Sequence, residues 1–86
     1  MKNDLDIHQS LSVYAKIIKH GSATEKGKRL NGITAHSSFD GYIVILEDDK
    51  VSLTIHFHNK YDLEYSDRFA LQEFMDKVIK IDKTKF

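Results

Sequence analysis

The hydrophobic positions change period along the chain. Between residues 4 and 20 the apolar side chains Ile7, Leu11, Tyr14 and Ile18 recur at steps of four, three and four, with Ala15 beside them. That spacing puts them on one stripe of a helix. Asn3, Asp4 and Asp6 suit its start, Lys16 and Lys19 its carboxyl end, and Gly21 offers a left-handed stop. Residues 21–29 read as a structured loop, in which Ser22 and Glu25 have capping-box spacing but Gly27 allows no more than a single turn.

From residue 30 to 58 the period drops to two, the mark of strands. Asp40-Gly41 is a hairpin signal that sets Phe39 opposite Tyr42, Ser37 opposite Val44 and Ala35 opposite Leu46, with Ser38–Ile43 and His36–Ile45 on the other face. A second turn in "EDDK" sets Leu46 opposite Val51, Val44 opposite Leu53 and Tyr42 opposite Ile55. Both hairpins agree on one inner face, made of Ile33, Ala35, Phe39, Tyr42, Val44, Leu46, Val51, Leu53, Ile55 and Phe57. The same parity continues through Tyr61, Leu63 and Tyr65. Either the third strand runs on, or a loop at Asn59-Lys60-Tyr61 folds a short fourth strand back, setting His58 against Asp62 and His56 against Glu64. Leu71, Phe74, Met75, Val78 and Ile79 then form a second amphipathic helix, followed by a fraying tail.

The expected architecture is a single α+β domain, α-β-β-β(-β)-α. Helices cover residues 4–20 and 67–81, strands cover 30–38, 42–47 and 51–58, and a fourth strand covers 61–65 if the chain turns back; residues 82–86 are the tail. The antiparallel sheet of three or four strands carries both helices on one face. At 86 residues the chain has one modest core, worth no more than about 3 to 5 kcal/mol net, so oligomerisation would help it. It contains no cysteine, which removes disulfides and thiolate metal sites. The opening "MKNDLDIHQS" carries acids where a signal peptide needs an apolar core, and no stretch approaches about 18 apolar residues. The expectation is a cytoplasmic protein with no membrane contact.

Thirteen basic side chains cancel thirteen acidic ones, against a surface built for nucleic acid. The densest basic stretch is Lys16, Lys19, Lys26, Lys28 and Arg29, whose plainer reading is a solvated helix end and loop. The element order is also that of double-stranded-RNA-binding domains. Such domains need a lysine-rich start to the second helix and a His-bearing loop between the first two strands, where this chain has "SDRFALQEF" and "SSFDG".

Candidate chemistry gathers in "VSLTIHFHNKYDLEY". His56 and His58, two residues apart on one strand, sit about 6.8 Å apart along its axis, and with Asp62 or Glu64 they could converge on a metal. His36 falls level with Ser52 in the register above, about 9.5 Å across and about 13 Å along the sheet from His56, too far to be a further ligand. The simpler reading is polar histidines on the wet face of an antiparallel sheet. A hydrolytic triad has no orienting acid near Ser37, Ser38 and His36, and "GKRLNG" lacks phosphate-loop spacing, Asn31-Gly32 reading better as a turn or bulge. No cofactor is implied. Ile43 and Ile45 stand out instead, on the outer face with Thr54 and His36 for neighbours, an apolar strip within a polar rim.

The strings "LSVYAKI", "GITAHSSFDGYIVILEDD" and "FHNKYDLEY", taken in order, resemble a family of short gammaproteobacterial proteins classed only as a domain of unknown function. The resemblance implies a bacterial cytoplasmic setting and no particular activity. The functional expectation is a non-catalytic module that binds a protein partner or a second copy of itself through the outer sheet face, using Ile43, Ile45, His36, Thr54, His56 and His58. A His56/His58 metal or small-ligand binder with Asp62 and Glu64 is the alternative, and a weak RNA binder through the basic cluster the third.

Overall fold

The structure, a computed structural model, describes residues 6–56 and 60–85. Helix α1 (Ile7–His20) starts where the Asp6 carboxylate accepts the Gln9 N–H at 3.0 Å. Helix α2 (Arg68–Lys83) starts the same way, Asp67 accepting from Ala70 N–H at 2.8 Å. Each carboxylate satisfies an amide that the first turn leaves without an intrahelical partner. Between the helices run six strands: β1 (Ser22–Ala23), β2 (Lys28–Leu30), β3 (Ile33–Ser37), β4 (Val44–Glu47), β5 (Val51–His56) and β6 (Lys60–Tyr65). They form one antiparallel meander in chain order.

The fold class is as the sequence implies, with more strands. The loop expected over 21–29 contains β1 and β2. The strand expected over 30–38 is split by a two-residue turn in which Asn31 (φ 52°) and Gly32 (φ 86°) both lie in the left-handed region, where Asn and Gly are tolerated best. Gly21 is not a left-handed stop: its φ of −78° and ψ of 170° are extended. What it supplies is room, since a Cβ there would lie 2.6 Å from the Ile17 carbonyl oxygen and 2.8 Å from that of Arg29. Gly27 does the same at β3, where a Cβ would meet the Ala35 carbonyl oxygen at 2.2 Å.

The first hairpin register is as expected, with Ser37 opposite Val44, His36 opposite Ile45 and Ala35 opposite Leu46. Its turn is wider than Asp40-Gly41 alone: Ser38 N–H donates to the Ile43 carbonyl at 2.8 Å and Gly41 N–H to the Ser38 carbonyl at 3.0 Å. The next hairpin slips by two residues from the expectation, to Leu46–Leu53 and Val44–Ile55, because the tight turn is Asp49-Lys50. Asp48 fixes it. Its N–H donates to the Val51 carbonyl, and its Oδ1 accepts from Lys50 N–H at 2.9 Å and Val51 N–H at 2.8 Å. The chain does turn back after β5, but β6 slips by four, pairing His56 with Lys60, Thr54 with Asp62 and Ser52 with Glu64. Both slips are even, so every side chain keeps its predicted face.

The core lies between the sheet and both helices. Ile33, Ala35, Leu46, Val51, Leu53 and Ile55 pack against Val13 and Ile17 of α1 and Ala70, Phe74, Val78 and Ile81 of α2. Phe39 and Tyr42, expected in this face, project past its end on the β3–β4 turn and are exposed. Phe57 lies outside the described residues. The α1 face is rotated from the predicted stripe: Ser10, Val13 and Ile17 are buried, while Leu11 and Ile18 stand at its margin, 39% and 37% exposed. On α2, likewise, Ala70 and Ile81 join Phe74 and Val78 at the centre, and Leu71 and Met75 flank them.

Asp82 staples the helices together. Its carboxylate accepts from Gln9 Nε2 at 3.1 Å, and Lys16 Nζ donates to its backbone carbonyl at 2.6 Å. Lys77 of α2 reaches Asp48 Oδ2 at 3.2 Å and ties the helix to the β4–β5 turn.

Candidate functional site

With both helices on the inner side, the outer face of the sheet is left to its own side chains. Strand alternation places Thr34 and His36 of β3, Ile45 and Glu47 of β4, Ser52, Thr54 and His56 of β5, and Lys60, Asp62 and Glu64 of β6 on it. Ile45 sits directly between His36 and Thr54. Ile43 precedes β4 on the same face, its N–H donating to the Ser38 hydroxyl at 3.2 Å. All four residues named for the centre of the interface, Ile43, Ile45, His36 and Thr54, are therefore brought together. They are half-buried by one another rather than fully exposed.

Two polar groups flank this strip. On one side Lys26 Nζ meets Glu47 Oε2 at 3.1 Å, and Arg29 Nη1 donates to Thr34 Oγ1 at 3.3 Å. His36 Nε2 is shielded from solvent without a hydrogen bond, the Glu47 Oε1 lying 3.6 Å away. A buried nitrogen in this state costs free energy until a small rotation or a partner satisfies it. Because His36 is level with Thr54 rather than Ser52, it is about 9.5 Å across and about 6.8 Å along the sheet from His56, closer than the sequence register implies.

On the other side His56 Nε2 and Asp62 Oδ2 are 2.7 Å apart. Two of the four residues considered for a metal thus meet, as a diagonal pair instead of the directly opposed His58–Asp62 and His56–Glu64 of the expected register. Glu64 faces Ser52, and His58 lies outside the described residues. Among the described residues no three of His, Asp and Glu converge on a point that could hold a metal ion.

The basic cluster is dispersed. Lys16 is engaged by Asp82 between the helices, Lys26 and Arg29 belong to the outer face, and Lys28 pairs with Ala35 and so faces the other way. Lys16 and Lys19 instead share a groove of about 510 Å³ with His20, Lys83 and Lys85. The two tail lysines were not singled out in the sequence, since only the helix packing brings the C-terminus beside α1.

Two carboxylates are tuned by their turns. The Ser38 hydroxyl, with the Tyr42 N–H, holds the Asp40 pKa below its ordinary value. Burial pushes the Asp48 pKa up, but the N–H groups of Lys50 and Val51 and the Lys77 ammonium outweigh it and hold the carboxylate below its ordinary range. Both groups serve turn geometry. No described helix is long and apolar enough to cross a membrane.

A family model described as "Protein of unknown function (DUF3081)" matches residues 5–85. Neither the curated proteins nor the solved structures contain a match to the chain.

Proposed function

This chain belongs to the DUF3081 family, and we propose that it is a non-catalytic, cytoplasmic protein-interaction module whose docking surface is the outer sheet face. One observation carries this reading: both helices cover the inner face, leaving Ile43 and Ile45 at the middle of an outer face whose rim is charged. A small apolar centre inside a polar surround is the layout of a docking surface. The rim supplies direction. Lys26–Glu47 is an ion pair and His56–Asp62 a hydrogen-bonded pair that a partner's polar groups can join.

A photoreactive amino acid placed at Ile45 in the producing bacterium tests this, with the same group at exposed Glu73 of α2 as control. The expected result is a discrete cross-linked protein from position 45, lost when Ile43→Asp is added. Equal labelling from positions 45 and 73, or none from 45, overturns the reading.

A further inference from the structure

The edge strand β6 has a property that the outer face does not require. Ser66 N–H donates to the Lys50 carbonyl at 3.1 Å, which continues the β5–β6 register by one pair. In an antiparallel ladder, hydrogen-bonded pairs alternate with non-hydrogen-bonded ones. The even-numbered residues Asp62 and Glu64 therefore turn their backbone groups toward β5, and Tyr61, Leu63 and Tyr65 turn theirs away. Among the described residues nothing bonds to those outward groups. Five of the six β6 residues are exposed. Lys60 and Glu64 make no ion pair within the described chain.

Charged residues on an edge commonly guard it against pairing. Here the order of the charges decides which pairings are blocked. Two copies related by a twofold axis normal to the sheet would pair β6 antiparallel, both outer faces on one side. With the axis at Leu63, Asp62 would face Glu64 of the second copy twice, two like-charge contacts. With the axis between two Glu64 residues, these would face each other and Lys60 would have no acid opposite. With the axis at Tyr61, Lys60 would face Asp62 of the second copy twice, but only residues 60–62 of each described strand would overlap. With the axis at Asp62 the overlap spans 60–64, Lys60 faces Glu64 of the second copy twice, and Tyr61 faces Leu63 twice on the inner side. The one like-charge contact is Asp62 with its symmetry mate, each carboxylate also hydrogen-bonded to the His56 ring of its own copy at 2.7 Å.

We infer that β6 is a self-complementary edge: two copies of this chain join antiparallel with the twofold axis at Asp62, making one continuous sheet. Tyr61 and Leu63 then exchange their outward N–H and C=O groups across the axis. The half-exposed ring of Tyr61 gains cover along the seam. The dimer sets two outer faces side by side, so that a partner docking there would meet a doubled surface.

The full chain tests this through charge reversal and through its lack of cysteine. Sedimentation equilibrium of the wild type at about 100 µM should show dimer; a monomer at that concentration overturns the proposal. Lys60→Glu should weaken association by roughly tenfold or more, because it creates two like-charge contacts, and adding Glu64→Lys should restore it. Circular dichroism confirms that each variant is folded. Asp62→Cys places two thiols at a non-hydrogen-bonded pair with Cα atoms about 4.5 Å apart, within disulfide reach, and should oxidise to a covalent dimer faster than Leu63→Cys. Faster linkage through position 63, or association indifferent to Lys60→Glu, overturns the inferred pairing. Ile43→Asp should leave this dimer intact while abolishing cross-linking from position 45, so the two readings fail separately.

Discussion

At one edge of the sheet β1 contributes two residues, held by a turn in which Thr24 Oγ1 accepts from Lys26 and Gly27 N–H and by two glycines at close backbone approaches. At the other edge β6 contributes six residues, with no hydrogen bond to its outward backbone groups among the described residues and with Lys60, Asp62 and Glu64 at every second position. The first edge is finished by backbone fit and leaves little ladder to extend. The second leaves a ladder open and regulates access to it by side chains. Substitutions should therefore act on stability at the β1–β2 edge and on association at the β6 edge, and a variant that crosses this division would break the comparison.

The largest effect is expected at Gly27. A methyl group there would meet the Ala35 carbonyl oxygen at 2.2 Å and His36 Cβ at 2.9 Å, both parts of the central sheet that cannot retreat cheaply. Gly27→Ala should cost about 2 to 4 kcal/mol and lower Tm by about 10 °C or more in a thermal melt. A loss below about 0.5 kcal/mol would mean that this edge is not fixed by backbone fit.

Asp48 should come next. Asp48→Ala leaves the Val51 N–H half-buried without its acceptor and frees Lys77, for a loss of about 1 to 3 kcal/mol in urea unfolding. The pH dependence has a definite sign. Because the folded pKa lies below the ordinary 3.8, the unfolded chain binds more protons in the window beneath that value. The stabilisation from Asp48 is complete above it and is lost as pH falls through the lowered folded value. Wild-type stability should therefore drop more steeply below about pH 4 than that of Asp48→Asn. Parallel acid limbs would remove Asp48 from this account.

The different construction of the edges also explains what the sequence conveys. Parity is robust: β3, β4 and β5 show their inner face because Ala35, Leu46, Leu53 and Ile55 alternate, and slips of two and four residues leave that face unchanged. The β4–β5 slip came from a turn whose geometry is decided by Asp48, whose Oδ1 takes two N–H groups at once. Strands of two and three residues have too few positions to show a period, so β1 and β2 were hidden, although Asn31-Gly32 carried the hairpin signal that would have separated β2 from β3. At the candidate site, Ile43, Ile45, His36 and Thr54 were legible because they depend on face and on the first hairpin alone. His56–Asp62 was legible only as one of several imidazole–carboxylate pairings, because choosing among them needs the true register.

The smallest effect on stability, and the sharpest contrast with Gly27, is expected on β6. Lys60→Ala and Glu64→Ala remove exposed side chains with no ion-pair partner among the described residues and should change the stability of the isolated molecule by no more than about 0.5 kcal/mol. Amide hydrogen exchange can read the edge without any substitution. In dilute solution Asp62 and Glu64, whose N–H groups point to β5, should be protected, while Tyr61 and Leu63 exchange freely. Raising the protein concentration should slow Tyr61 and Leu63 selectively, because pairing at Asp62 gives those two amides acceptors and leaves the β5-facing amides as they were. Uniform protection along β6 at every concentration would show that the ladder is already closed within one copy, and the contrast between the two edges would then be lost.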